Sequence, residues 1–139
     1  FGNFDLKTFK NKLDGSEHYA ITKGKFNKNK ASRVRVISTS VLNSFFNFNK
    51  DIYKSSLKHL NKFNNFALIL IKGSNINPAS SENNKILRYY GIGAQIIKEL
   101  KIKNMILVSR TKKRIIALKG YGIKIAKQEI IKWKKILEF

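Results

Sequence analysis

Two basic stretches of the sequence have the residue types and spacing to bind an anion. In the first, "RYYGIGAQIIKELKIKN", Arg88 stands shortly before Gly91 and Gly93. A guanidinium fork matches phosphate oxygens, and a helix that begins at glycines presents its backbone N–H groups to an anion. The competing interpretation is a surface arginine beside two glycines that allow a tight turn and close packing. The sequence leaves both interpretations open.

The second basic stretch follows a predicted strand and contains Ser109, Lys112, Lys113 and Arg114. A strand-to-helix corner with this composition suits an anion, and it is equally typical of a solvated run of charge.

Other kinds of chemistry have little support in the sequence. His18 and His59 are too isolated for a metal site or a catalytic triad, which favours structural or surface roles. No Walker-type loop and no pair of acidic residues stands out, and 8 Asp+Glu leave few candidates for general acid catalysis.

The composition predicts a globular protein with one domain over residues 1–139. The chain has 42% hydrophobic residues and a single Pro, which argues against disorder. No apolar run approaches the roughly 18 residues of a membrane span, and no signal peptide is recognisable. The absence of Cys excludes disulfides and thiolate metal sites and is compatible with a reducing, cytoplasmic location. The first residue is Phe rather than Met, which is compatible with a segment of a longer chain.

The strongest compositional signal is positive charge. The chain has 29 Lys+Arg against 8 Asp+Glu, which gives a formal net charge of +21. Such a balance indicates nucleic acid or an anionic surface as a partner, and it predicts at least non-specific nucleic-acid binding. Because Lys, Asn and Ile are encoded by A/T-rich codons, genomic bias alone is the alternative explanation.

Hydrophobic periodicity predicts strands and helices that alternate in the second half of the chain. A polar stretch over 73–84 is the clearest loop, and the pattern as a whole is typical of an α/β layer architecture. The predicted strands cover 4–9, 18–23, 33–38, 66–72, 105–109 and 122–126. The predicted helices cover 54–63, 92–100, 112–120 and a basic amphipathic tail over 127–139.

Three segments together resemble the GTP cyclohydrolase II family of riboflavin biosynthesis. "RYYGIGAQIIKELKIKNMILVSRTKKRIIALKGYGIKI" is similar to that family's "RDYGIGAQIL…LEGYGLEV" segment without a gap. "GNFDLKTFKNKLDGSEHYAITKG" and "RVRVIS" match two earlier family motifs, so the resemblance covers nearly the whole chain. It implies an α/β fold: a GTP cyclohydrolase II-like mixed sheet with flanking helices.

The resemblance also implies an activity whose metal ligands this chain lacks. The family hydrolyses GTP to formate, pyrophosphate and a diaminopyrimidine product, with zinc held by three Cys and with magnesium. Ser40, Asp51 and Tyr53 stand at the Cys positions, and of these only Asp51 is a reasonable zinc ligand. The family's triphosphate- and magnesium-binding stretch gives way to a shorter loop over 73–84. We therefore expect no metal site, no cofactor and no cyclohydrolase activity.

Several family positions are retained. Arg88 matches the family's catalytic Arg, which the family uses for a covalent guanylyl link. Arg35, Ser109 and Arg114 match positions that contact the nucleotide or its phosphates, the last two by conservative replacement.

These expectations combine into one interpretation with alternatives. We expect an inactive domain that serves as a structural, dimerisation or regulatory module of a riboflavin-pathway enzyme. Its expected partners are a second copy or a 3,4-dihydroxy-2-butanone 4-phosphate synthase domain, to which this domain is fused in many bacteria. The strand "FALILI" and the tail helix are the expected contact surfaces. The alternatives are a residual GTP- or phosphate-binding module and a divergent enzyme that still releases formate and pyrophosphate from GTP.

Overall fold

The protein is built around one mixed β-sheet. The computed structural model describes residues 3–39, 50–72, 82–110 and 120–131. The strands are β1 (Asp5–Lys10), β2 (Glu17–Lys23), β3 (Ser32–Thr39), β4 (Phe66–Lys72), β5 (Asn104–Ser109) and β6 (Lys124–Ile130). The helices are α1 (Lys50–Leu60) and α2 (Glu82–Glu99).

The sheet has the strand order β1-β2-β4-β3-β5-β6. β1, β2 and β4 pair antiparallel, while β4, β3, β5 and β6 pair parallel. The connections from β3 to β4 and from β4 to β5 contain α1 and α2, because strands that run parallel in one sheet need a crossover between them. The predicted α/β architecture is therefore confirmed.

Within the described residues, each face of the sheet packs against one helix. Side chains alternate along a strand, so residues of opposite parity reach opposite faces. On one face Val34, Ile69, Leu107 and neighbouring residues pack with the Ala94–Ile97 part of α2. On the other face Phe66, Leu68 and Val108 pack with Leu57 and Leu60 of α1. β4, which contains "FALILI", is thus buried at the centre of this protein's own core, so our expectation that it contacts a partner is wrong.

Helix α2 begins about ten residues earlier than predicted, and this changes the role of its glycines. Gly91 and Gly93 lie inside the helix, and neither has a positive φ. The predictions of a tight turn and of an anion-binding helix start at these glycines are therefore both wrong. Close packing is confirmed at Gly93, where an added Cβ would lie 3.5 Å from Ile71 Cδ1 and 3.5 Å from Val36 Cγ1. The glycine lets α2 lie close to β3 and β4.

The end of α2 is a hydrogen-bonded helix cap. Lys101 adopts φ 62°, its N–H donates to the Lys98 carbonyl at 2.9 Å, and Ile102 N–H donates to the Ile97 carbonyl at 3.2 Å. This pair of bonds is the Schellman motif, and the burial of Ile97 and Ile102 adds the apolar contact that accompanies it. Lysine rather than glycine occupies the left-handed position.

The last strand corrects the prediction for the C-terminal region. Residues 127–130, predicted as the start of a helix, continue β6 and pair with β5. The ladder hydrogen bonds with β5 outweigh the helical periodicity of "KQEII". The remainder of the predicted tail and residues 112–119 of the preceding helix lie outside the described residues. Gly120 lies in a turn, and the positive φ expected of a cap belongs to Gly122.

β6 has one residue more than its partner strand. Met105 pairs with Ile125 and Ile106 pairs with Lys127, so Ala126 has no counterpart on β5. An extra residue reverses the face to which the following side chains point. Ile125 accordingly packs on the α2 face, whereas Glu129 reaches Arg33 on the α1 face.

Candidate functional site

Arg35, one of the predicted nucleotide-contacting residues, is a buried cation between β3, β5 and α1. Only 6% of its surface is exposed. Its Nε donates to Ser56 Oγ at 2.8 Å, and its Nη1 donates to the Val108 carbonyl at 3.3 Å. Both acceptors are neutral, and together they use two of the five N–H donors of the guanidinium. Among the described residues no carboxylate is hydrogen-bonded to Arg35, and a buried charge without a charged counterpart is costly, so this arrangement favours an anion.

A second arginine increases the positive potential at Arg35. Arg110 follows β5 directly, and strand alternation places it on the same face as Val108. Burial first, and then the charge of Arg110, lowers the pKa of the Arg35 guanidinium. The lowered pKa means that the protein stabilises the charged form less than water does, and a bound anion would offset this effect.

Ser109, the second predicted contact, lies beside Arg35 in the sheet but faces the other way. It is buried, with 5% exposed, at the end of β5. Leu107, two residues before Ser109 and therefore on the same side of the strand, belongs to the α2-facing cluster. Val108 belongs to the α1-facing cluster. Arg35 and Ser109 can therefore contact one ligand only if that ligand lies across the ends of the strands.

For the other two predicted site residues, Arg88 and Arg114, the structure does not describe the side chain. Arg88 lies within α2, and its side chain is outside the described part of the structure. Arg114 is outside the described residues altogether. Their roles remain predictions.

Of the residues predicted to stand at the family's zinc positions, Tyr53 is the one whose side chain the structure describes. Tyr53 lies on α1, half-buried among apolar side chains, and burial raises the pKa of its phenol. A phenol held in its neutral form is a poor ligand, because zinc prefers deprotonated sulfur, imidazole or carboxylate. Asp51 also belongs to α1, and Ser40 lies outside the described residues. Over the described ranges, no group of three or more His, Asp and Glu is close enough to hold a metal ion.

One polar cluster was not predicted from the sequence. Glu129 Oε2 accepts from Arg33 Nη2 at 3.2 Å, and Glu129 Oε1 lies 2.5 Å from His59 Nε2. The Arg33 guanidinium also lies 3.3 Å from the ring centre of Phe63. Burial by itself would raise the pKa of Glu129, but the hydrogen bonds and charges of Arg33 and His59 outweigh it and lower that pKa. The cluster connects β6 and β3 to α1.

His18 has a structural role. It is buried with 2% exposed, and its Nδ1 accepts the Lys72 backbone N–H at 3.1 Å. Nε2 therefore carries the proton and lies 2.9 Å from Ser16 Oγ, whose hydroxyl is 2.6 Å from Asp14 Oδ1. These bonds fasten the turn between β1 and β2 to the end of β4.

In the described parts of the chain, neither helix has the length and apolarity needed to cross a membrane.

Comparison with known proteins agrees with this fold. The family profile described as GTP cyclohydrolase II matches residues 1–63 and 53–130. The chain is 28% identical to the riboflavin biosynthesis protein RibBA of Aquifex aeolicus over 95% of this chain and 39% of that protein. It is 26% identical to the 3,4-dihydroxy-2-butanone 4-phosphate synthase of Photobacterium phosphoreum over 90% of this chain and 39% of that protein. It thus spans about two fifths of these relatives' length.

A solved structure has the same fold. RibBX of A. baumannii, described as a two-domain 3,4-dihydroxy-2-butanone 4-phosphate synthase, is similar with a TM-score of 0.57 and 22% identity. The similarity covers 94% of this chain and 39% of that one. The expected GTP cyclohydrolase II-like fold is confirmed.

Proposed function

Because the chain belongs to the GTP cyclohydrolase II family of riboflavin biosynthesis, we propose that it is a non-catalytic member of that family, acting as a structural, dimerisation or regulatory module of a riboflavin-pathway enzyme. The observation that carries the proposal is the donor set at the zinc positions. Ser40, Asp51 and Tyr53 replace three thiolates, and burial raises the pKa of the Tyr53 phenol, which makes its ionised form still less available to a metal. The fold of the family is retained.

The partner that we propose is a 3,4-dihydroxy-2-butanone 4-phosphate synthase domain, in the same chain or in another. Support comes from two proteins that bear this name and contain a segment similar to this chain over 39% of their length. The remainder of each is long enough to hold a further domain.

Loss of catalysis is tested by elemental analysis for zinc and by formate release from GTP on the same sample. We expect neither stoichiometric zinc nor formate, with a cyclohydrolase that has three zinc Cys as the positive control. A Ser40→Cys/Asp51→Cys/Tyr53→Cys variant should gain zinc, because three thiolates bind it strongly. It should still release no formate, since the phosphate-binding stretch is replaced. Zinc and formate in the natural protein would overturn the proposal.

The module role is tested on the synthase. We expect the chain to co-purify with the synthase domain and to change its Tm or turnover when both are present. A synthase that is unchanged in assembly, Tm and rate would contradict the role.

A second candidate is a residual phosphate- or GTP-binding function. The buried Arg35, whose hydrogen-bond acceptors among the described residues are neutral and which lies close to the charge of Arg110, favours it. GTP or inorganic phosphate should raise the Tm in a concentration-dependent way, and Arg88→Ala or Arg35→Met should reduce the shift. An equal shift in the variants would exclude these residues as the site.

The charge of +21 supports weak, non-specific binding of nucleic acid as an accompanying property. Filter binding across a salt series tests it. A flat dependence on salt would contradict electrostatic binding.

A further inference from the structure

A groove on the α2 face of the sheet has the size of a small-molecule site. It lies between the β1–β2 hairpin and the C-terminal half of α2, and we name it the hairpin groove. Its volume is about 690 Å³, within the roughly 300–1,000 Å³ typical of ligand sites. Its apolar walls are Phe9 on β1 and Ile92 and Ile96 on α2.

The edge of the hairpin groove is cationic. Lys10 and Lys12 line it from the hairpin side and Lys98 from α2, and all three are exposed. Among the described residues that line the groove, Glu99 is the one carboxylate. At the base lies His18, whose Nδ1 accepts a backbone N–H, so a neutral imidazole borders the cavity. The groove therefore combines apolar walls with an excess of positive charge.

The hairpin groove is separate from the region around Arg35, Arg110 and Ser109, which we call the arginine site. Phe9 and His18 lie on β1 and β2, and β4 and β3 stand between β2 and β5. At roughly 4.8 Å per strand, the groove is about 14 Å from the strand that bears Ser109. Arg35 is on the opposite face of the sheet. A ligand in the groove would not contact either residue.

We propose that the hairpin groove binds a small organic anion that carries a planar apolar ring, with the ring between Phe9, Ile92 and Ile96 and the anionic group near Lys10, Lys12 and Lys98. An aromatic phosphate, sulfonate or carboxylate has this chemistry. The inference is independent of the proposed module function, because it uses neither the zinc positions nor the arginine site.

Two fluorescent probes with the same ring system test the two halves of the proposal. Anilinonaphthalene sulfonate has the ring and the charge, whereas phenylnaphthylamine has the ring alone. We expect the sulfonate to bind more tightly. Substituting Lys10→Gln, Lys12→Gln and Lys98→Gln together should weaken its binding by roughly tenfold, since each exposed charge contributes modestly. The neutral probe should be affected much less.

A matched control separates local from overall charge. Lys28→Gln, Lys54→Gln and Lys124→Gln, all exposed and outside the groove, lower the net charge by the same amount. Binding of the sulfonate should be nearly unchanged in this variant. Equal weakening in both triple variants would overturn the proposal, because bulk charge would then explain it.

A second variant tests the cavity itself. Gln95 is exposed and lines the groove, so Gln95→Trp should fill it and reduce binding of both probes at least tenfold. Asn64→Trp, at an exposed position outside the groove, is the control and should leave both affinities unchanged. Binding that survives Gln95→Trp would place the probe elsewhere and contradict the proposal.

Discussion

Glu129 Oε1 lies 2.5 Å from His59 Nε2, and this contact joins the last strand of the sheet to helix α1. Arg33 on β3 donates to the other carboxylate oxygen, so one acidic side chain holds three elements together. In a chain with 8 Asp+Glu, this use of a carboxylate indicates that α1 is positioned by charge as well as by apolar packing.

The Glu129 cluster predicts a pH-dependent contribution to stability. The folded state lowers the pKa of Glu129 below its unfolded value of about 4.3. The contribution is therefore complete above that value and is lost as pH falls through the folded pKa. We expect Glu129→Gln to lower the free energy of unfolding at neutral pH and to differ little from the natural protein in strong acid. Urea unfolding across pH measures this.

Glu99→Gln is the matched control for Glu129, because Glu99 is exposed at the end of α2. A difference between the natural protein and Glu129→Gln that does not change with pH would show that the carboxylate's charge is unimportant.

The packing of Gly93 predicts which side chains α2 can accept there. An added Cβ meets Ile71 and Val36 at 3.5 Å, which is ordinary van der Waals contact. Gly93→Ala should therefore fit and raise the free energy of unfolding by up to about 1 kcal/mol through helix propensity. Gly93→Leu should lower it by about 1–3 kcal/mol, because the larger side chain would force α2 away from the sheet. Thermal and urea unfolding decide between these outcomes, and a destabilising Ala would contradict the geometry.

The cap of α2 predicts a stabilising substitution. Lys101 is held at φ 62°, where the Cβ of an L-residue lies too close to the following carbonyl oxygen. Glycine has no Cβ and avoids this contact. Lys101→Gly should raise the free energy of unfolding by about 1 kcal/mol. Lys103→Gly, also exposed but without a positive φ, should lower it by roughly 0.5–1 kcal/mol, because glycine loses more backbone entropy. Equal effects of the two substitutions would contradict the strain argument.

The buried Arg35 predicts a trade-off between stability and binding. Arg35→Met removes the cost of a buried charge but takes the donor from Ser56 Oγ and the Val108 carbonyl, so the two effects oppose each other and the free energy of unfolding should change by no more than about 1–3 kcal/mol. The same variant should lose the phosphate-induced rise in Tm. Urea unfolding with and without phosphate measures both effects.

Ser56→Ala is the informative control for Arg35, because it keeps the charge and removes the neutral acceptor of Nε. It should cost about 1–3 kcal/mol, the penalty of an unsatisfied buried donor. A strongly destabilising Arg35→Met would indicate that Arg35 is a structural residue in the unliganded protein.

Local patterns predicted most of the fold and little of the site. Alternation and short apolar runs located β1 to β5 within a few residues, because both patterns of a strand are visible in the sequence. The start of α2 was missed since its glycines are typical of a turn, and only the proximity of Val36 and Ile71 explains Gly93 in a helix. The site contacts join residues far apart in the chain, 21 positions for Arg35 with Ser56 and 96 for Arg33 with Glu129. Spacing along a sequence does not encode such contacts.

The unmatched Ala126 makes the length of β6 as important as its composition. Upstream of it, the strand presents Ile125 to the α2 layer, and downstream it presents Glu129 to the α1 layer. Removal of one residue there would turn every following side chain of the strand to the opposite face of the sheet. Substitutions in β6 act one side chain at a time, whereas an insertion or deletion acts on all that follow. The protein should therefore tolerate changes of length in the turn at 120–123 far better than within β6.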